Sequence, residues 1–382
     1  MLRIVADENI LWVKETFSEF GTVTCLPGRE ITNETLKSAD ALLVRTVTQV
    51  NRRLLEDTPV RFVASATAGY DHVQQEELAS LGIPFHYAPG SNADSVADYI
   101  TAALLRLDSR FSLDLPTRSI GIVGFGHVGK RVAARSRGLG LHVVVCDPPL
   151  ERATAEVIYR PLEEALQCDV VTLHTPLTHD GFDPTFQMAN EEFFEHMNSG
   201  SIFINTARGE VMNSTAVHQA LGSGIVKACV LDVHEHEPNI DHTLAAKSFV
   251  ATPHIAGYGY DGKVRGTEMI YEAFCEHFGL DTNWGNKIEF TATKKPFLEV
   301  SPTDARAMHG SVEAVYDIME DHRRFKESEP SGIAFDHQRK TYPIRREFSQ
   351  TNVTINPHDD TMAHRFSQLG FRVKALEKDS LE

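Results

Sequence analysis

Three side chains able to act together on an alcohol stand in the second half of the chain. They are Arg208 in Asn-Thr-Ala-Arg-Gly, Glu237 in His-Glu-His-Glu-Pro and His254 in Thr-Pro-His-Ile-Ala-Gly. An imidazole can take a hydroxyl proton, and a carboxylate beside it stabilises the imidazolium that results. A guanidinium can grip a carboxylate through two parallel hydrogen bonds. Such a set suits oxidation of a 2-hydroxy acid. The chain has 18 histidines, so any one of them alone reads as a surface or core residue. Position separates these three residues from the rest. Each follows an apolar stretch that reads as a strand: Ser201–Asn205, Ala228–Val233 and Phe249–Ala251. In doubly wound sheets, ligands bind beyond the carboxyl ends of strands.

The strongest local pattern is Gly124-Phe-Gly126-His127-Val128-Gly129, between a strand at Ser119–Val123 and a helix at His127–Leu139. Gly124 permits a tight turn, Gly126 lets a pyrophosphate approach the backbone, and Gly129 lets helix pack on strand. The helix start, with His127 and Val128, offers free N–H groups and a positive dipole to phosphates. A second strand, Leu141–Cys146, leads to Asp147, 18 positions after Gly129. A carboxylate there accepts hydrogen bonds from a ribose 2′-hydroxyl and repels a 2′-phosphate. The expected cofactor is therefore NAD rather than NADP.

These residues need a frame. Before residue 92, strands at Leu2–Ala6, Thr22–Leu26, Ala41–Val44, Phe62–Ala66 and Ile83–Tyr87 alternate with helical patterns at Leu11–Phe20, Thr32–Ser38 and Gln74–Leu81. That alternation predicts a parallel sheet with helices on its faces. A long helix from Ala93 opens a second α/β sheet. The division expected is 1–92, completed by 262–287, then 93–261, then 288–382, with the polar Asp281–Lys287 as linker. The last part reads as a small α+β unit: a helix Thr303–Phe325, a strand Asn352–Ile355, a helix Thr361–Leu369 and a strand Phe371–Ala375. Ala305, Met308, Val312, Val315, Tyr316 and Met319 make one apolar stripe on its long helix. A small unit with such a stripe needs a partner, the main body or another subunit. A homodimer interface is the expectation. Arg345 and Arg346 could reach toward a phosphate site, but two adjacent arginines read first as a solvated surface pair.

Composition narrows the classes. With 37 basic and 53 acidic side chains, the net charge is −16 over 382 residues, a poor match to nucleic acid or anionic membranes. No apolar run reaches the roughly 18 residues of a membrane span. Asp7 and Glu8 interrupt the place where a signal peptide continues its apolar core. Five cysteines are scattered singly, as in a reduced cytoplasmic protein. No metal site is expected.

The order G-x-G-x-x-G, N-T-A-R-G, L-D-V-H-E-H-E-P and T-P-H-I-A-G resembles the D-isomer-specific 2-hydroxyacid dehydrogenases over about residues 1–280. The resemblance implies an α/β protein: a Rossmann NAD-binding domain, a flavodoxin-like substrate domain, and a small C-terminal α+β dimerisation domain. It makes His254 the acid/base, Glu237 its partner and Arg208 a substrate ligand. It places Asp232 at the nicotinamide carboxamide and adds Thr175, Thr206, Ala207 and Gly257 to the cofactor contacts. Members of the family commonly carry tryptophan where this chain has His234. Arg45, Thr46 and Thr67, at strand ends of the first domain, and Tyr258 are implied as substrate contacts. A guanidinium with neighbouring hydroxyls can bind phosphate, so a phosphorylated hydroxyacid is expected. A 3-phosphoglycerate enzyme and a non-catalytic NAD-sensing module remain open alternatives.

Overall fold

A computed structural model describes residues 1–156, 158–284, 297–299, 305–355 and 359–375. The chain forms two compact units. The first joins Met1–Asn92 to the helix Tyr260–Phe278; the second joins Ala93–Gly259 to the C-terminal segment. Ile288, where a third domain is expected to begin, lies outside the described residues, as does the linker beyond Trp284.

The first unit holds β1 (Leu2–Asp7), β2 (Gly21–Leu26), β3 (Ala41–Val44), β4 (Val63–Ser65) and β5 (Phe85–Tyr87). All pairs are parallel, in the order β2-β1-β3-β4-β5, which is the flavodoxin order. A parallel sheet covered on both faces needs continuous apolar strands, and all four residues of β3 are fully buried. Ile270, Tyr271 and Phe274 of the helix Tyr260–Phe278 pack with Phe17 and Phe62 on one face. The helix expected at Thr32–Ser38 is only a 3-10 turn, Glu34–Leu36. Thr35 donates through Oγ1 to the Thr32 carbonyl at 2.8 Å. Such side-chain bonds compete with the helical ladder.

The second unit holds β6 (Ser119–Val123), β7 (His142–Cys146), β8 (Val170–Leu173), β9 (Ser201–Asn205), β10 (Val226–Leu231) and β11 (Val250–Ala251). Their order is β11-β10-β9-β8-β6-β7, again parallel. The order reverses at β6, between β7 and β8, where doubly wound sheets bind ligands. A single bridge, Val145 to Tyr159, stands where a further strand would add beside β7.

The C-terminal segment shares this unit's core. It contains β12 (Phe297–Glu299), β13 (Asn352–Ile355) and β14 (Arg372–Ala375), a parallel sheet in that order. The single helix expected over Thr303–Phe325 is two, Ala305–Val315 and Ile318–Glu327. Asp317 divides them, because its carboxylate caps the second by accepting from the Met319 N–H at 3.0 Å. An unexpected helix, Gly332–Lys340, starts at a Ser331 cap. Met308, Val312 and Tyr316 of the apolar stripe are buried in one cluster with Tyr99, Ile100 and Leu107 of the helix Ala93–Phe111. Of the two partners the stripe allowed, the main body is the one that covers these residues.

Arg345 corrects a second expectation. It is buried, not solvated: its guanidinium donates to the carbonyls of Ala256 and Ser95 and lies 4.5 Å from the Tyr316 ring centroid. The polar neighbours that allow this burial come from distant parts of the chain, so adjacency of two arginines could not reveal it.

Candidate active site

Nδ1 of His254 lies 2.7 Å from Oε2 of Glu237. The carboxylate only accepts, so Nδ1 carries the proton and Nε2 keeps the lone pair that a base needs. Oε1 of Glu237 accepts from the His234 N–H at 2.9 Å, fixing the carboxylate at both ends. Burial opposes ionisation of Glu237, yet the His254 imidazole, its hydrogen bond and the His234 N–H hold the carboxyl down at about 2. Glu237 is thus a permanent anion at working pH.

The backbone of His254 is left-handed, with φ 57°, a conformation costing about 1–3 kcal/mol for a non-glycine residue. Asp232 holds it there. Its carbonyl accepts the His254 N–H at 2.6 Å, and its carboxylate accepts from Ile255 and Ala256 N–H at 2.8 and 2.9 Å. Thr252 donates through Oγ1 to Asp232 at 2.6 Å. The Tyr99 hydroxyl, 2.7 Å from Thr252 Oγ1, must therefore be the donor of that pair. Sequence reasoning assigned Asp232 to the cofactor and missed this second task.

Arg208 follows β9 on a loop tied by Asn205. The Asn205 side chain accepts from the Ala207 N–H and donates to the Arg208 carbonyl, both at 3.0 Å. Gly209 explains why the motif ends in glycine. A Cβ there would sit 1.8 Å from the His234 carbonyl oxygen. The Arg208 loop and the loop carrying Glu237 are therefore in direct backbone contact.

His234 is buried, and burial lowers its pKa. Its Nε2 donates to the Thr252 carbonyl at 3.0 Å. Its ring packs 5.8 Å from Phe325 and 6.3 Å from Phe335. Two aromatic rings of the C-terminal segment thus back the loop that carries Glu237.

The glycine loop fits a dinucleotide. Gly124 has φ 94°, and a Cβ there would meet the His174 carbonyl at 2.7 Å. A Cβ on Gly129 would lie 2.1 Å from the Gly124 oxygen, whereas one on Gly126 meets nothing within 4 Å. The chain is close-packed under the loop and open where a pyrophosphate would approach. Asp147 accepts from the Phe125 N–H at 2.7 Å and the Leu150 N–H at 2.9 Å. An ionised carboxylate has about four acceptor positions, so room for ribose hydroxyls remains. The Thr175 and Thr206 hydroxyls are buried with no hydrogen-bond partner among the described residues. Buried polar atoms are rarely left so, and a polar ligand at the ends of β8 and β9 would satisfy them. Ala207 is buried beside Thr206, and Gly257 is half-buried on the His254 loop. His127 is exposed and Val128 half-buried at the open helix start.

The first unit carries its own candidates. Arg45 follows β3 and donates to the Asn9 carbonyl at 3.3 Å; Thr46 is exposed beside it. Thr67 follows β4, and its hydroxyl donates to the Gly69 carbonyl at 2.8 Å while lying 2.6 Å from Ser65 Oγ. To donate to an anion, this hydroxyl must turn away from Gly69. Tyr258 belongs to the second unit. Its ring meets Tyr342 edge-on at 6.0 Å, and its hydroxyl accepts from Arg339 Nε at 3.1 Å. Among the described residues no group of His, Cys, Asp and Glu could hold a metal ion.

Comparison with known proteins gives this geometry a family. Residues 98–256 match the model of the D-isomer specific 2-hydroxyacid dehydrogenase NAD-binding domain. Residues 297–370 match a domain of unknown function, DUF3410. An erythronate-4-phosphate dehydrogenase of Salinibacter ruber is 44% identical, covering 92% of this chain and 94% of that protein. The chain belongs to the erythronate-4-phosphate dehydrogenase family. Other members so named are 40% identical in Marinobacter nauticus, covering 98% of this chain and all of that one, and 39% in Escherichia coli, at 97% and 98%. Among solved structures, a 3-phosphoglycerate dehydrogenase of Entamoeba histolytica with bound NAD aligns with TM-score 0.62 at 24% identity, over 73% of this chain and 95% of that one. A D-lactate dehydrogenase of Aquifex aeolicus, complexed with NAD and lactic acid, aligns at 0.60 and 23%, over 72% and 96%. At such identities the likeness concerns the fold. Like its family, the protein is an NAD-dependent dehydrogenase. No helix among the described residues is long and apolar enough to cross a membrane.

Proposed function

We propose that this protein oxidises 4-phospho-D-erythronate at C2, giving (R)-3-hydroxy-2-oxo-4-phosphooxybutanoate for pyridoxal 5′-phosphate biosynthesis. The observation that carries the reading is the His254–Glu237 pair at 2.7 Å, in a chain 44% identical to a named erythronate-4-phosphate dehydrogenase. Bound NAD would supply the acceptor for the hydride that leaves C2. His254 takes the C2 hydroxyl proton at Nε2, and Glu237 stabilises the cation formed. Arg208 holds the carboxylate. Gly124, Gly126, Gly129, Asp147, Thr175 and Thr206 are the residues that would hold the dinucleotide.

Arg45, Thr46 and Thr67 bind the phosphate in this reading. An Arg45→Ala variant should then lose more activity with 4-phosphoerythronate than with erythronate. Equal losses would assign Arg45 to packing. A substrate panel tests the whole proposal: 4-phosphoerythronate should exceed 3-phosphoglycerate and lactate in kcat/KM by orders of magnitude. Faster turnover of 3-phosphoglycerate would sink it. No turnover of any 2-hydroxyacid despite tight NAD binding would favour a sensing module instead.

A cytoplasmic homodimer completes the proposal. Five free cysteines support the compartment. Ile333 and Ile344, 86% and 68% exposed on the C-terminal segment, support a second subunit covering that surface. Light scattering of the intact protein checks the dimer; a monomer at micromolar concentration contradicts it.

A further inference from the structure

Arg339 opens the segment Arg-Lys-Thr-Tyr-Pro-Ile-Arg-Arg-Glu-Phe, at the end of the helix Gly332–Lys340. Its side chain is only 16% exposed. Nε donates to the Tyr258 hydroxyl at 3.1 Å. The guanidinium carbon lies 5.6 Å from the Tyr258 ring centroid and 5.9 Å from that of Phe335. The nearest carboxylate is Asp336, at 3.9 Å, too far for a hydrogen bond. The two terminal nitrogens thus make no hydrogen bond to the described residues.

A mostly buried guanidinium with four unused N–H donors is costly unless an anion meets it. Its surroundings are those of the acid/base pair. Burial opposes its charge, while Tyr258 and Glu237 favour it, and the balance holds it protonated more firmly than usual. Tyr258 lies four positions after His254. In a protein of net charge −16, a trianionic substrate needs local cations, and Arg208 is committed to the carboxylate.

We propose that Arg339, supplied by the C-terminal segment, binds the substrate's phosphate through its terminal nitrogens while its Nε fixes Tyr258. This rests on the substrate reading above. It makes the segment matching a domain of unknown function part of substrate recognition, alongside its role in packing.

The test compares the intact wild-type protein with Arg339→Met, Arg339→Lys and Tyr258→Phe. The probe is inorganic phosphate titrated into the NAD-loaded protein, alongside kcat and KM for 4-phosphoerythronate and erythronate. Arg339→Met should weaken phosphate binding by about 10- to 100-fold, the scale of a charge-assisted bond. It should also raise KM for the phosphorylated substrate by at least tenfold more than for erythronate. Arg339→Lys, which keeps the charge but not the fork, should fall between and decides the matter if the Met variant does not fold. Unchanged phosphate binding in a folded variant overturns the proposal. So does a Tyr258→Phe variant that reproduces the whole effect. The phosphate titration needs no turnover. A wild type inactive on 4-phosphoerythronate therefore removes the substrate reading, while an Arg339-dependent phosphate site would still stand.

Discussion

Asp232 holds His254 in a left-handed conformation without touching its ring. Its carbonyl takes the His254 N–H, and its carboxylate takes the next two N–H groups. A side chain at the end of β10 thereby sets the direction of the base on the neighbouring loop.

Asp232→Ala would leave the Ile255 and Ala256 N–H groups unpaired in a buried place and take the acceptor from the Thr252 O–H. At about 1–3 kcal/mol for each orphaned group, a loss of roughly 3 kcal/mol or more is expected, together with a steep fall in kcat. Thermal melting and steady-state kinetics check both. Full stability with full activity would mean that the loop holds itself.

Glu237 gives a pH signature. Its carboxyl sits at about 2 against an ordinary 4.5, so the folded state binds this proton less readily than the unfolded chain. The associated stability is fully present above about 4.5 and is lost as pH falls toward about 2. The advantage of wild type over Glu237→Gln in urea midpoint should therefore shrink on acidification through that window. A constant difference would deny the ion pair. His254→Gln, which removes the base, should lower turnover by about 10²–10⁴ and leave NAD affinity nearly intact.

Gly209→Ala tests the contact between the Arg208 and Glu237 loops. A Cβ placed 1.8 Å from the His234 oxygen must push backbone against backbone. The expected result is a collapse of kcat/KM with NAD binding much less affected, measured by fluorescence titration. Wild-type kinetics would show that the two loops separate freely.

Gly126→Ala should act in the opposite way. Nothing lies within 4 Å of the new Cβ, and φ is −72°, so melting temperature should hardly change. NAD affinity should fall at least tenfold, because the methyl group stands where a pyrophosphate approaches. Asp147→Ala should relax discrimination against NADP and, by removing a helix cap, cost about 1 kcal/mol. Unaltered NAD affinity in the first variant, or unaltered NADP discrimination in the second, would place the dinucleotide elsewhere.

The sequence exposed what is local. β6, β9 and β13 fall at the limits their apolar runs predict, because buried parallel strands read as unbroken hydrophobic stretches. The glycine loop was legible because Gly124 and Gly129 answer steric demands of nearby backbone, while Gly126 leaves open the space a pyrophosphate needs. What stayed hidden depends on distant partners. Nothing near residue 234 announces that Phe325 and Phe335 pack beside this histidine. Nothing near Arg345 announces the Ala256 and Ser95 carbonyls. The φ of His254 follows from Asp232, which the family resemblance marked only as a cofactor contact. The break at Asp317 was readable in principle, since aspartate is a strong helix cap, but continuous helical periodicity masked it.

The packing of Phe325 and Phe335 on His234 has a consequence for biosynthesis. These rings follow His254 by 71 and 81 positions. A ribosome adding about 5–20 residues per second needs roughly 4–16 s to reach the second ring after the histidine. During that interval the nascent chain already owns its glycine loop, but the loop bearing Glu237 has no aromatic backing. The seating of the proton-transfer pair is therefore coupled to synthesis of the C-terminal segment, whose side chains share the core of the same unit.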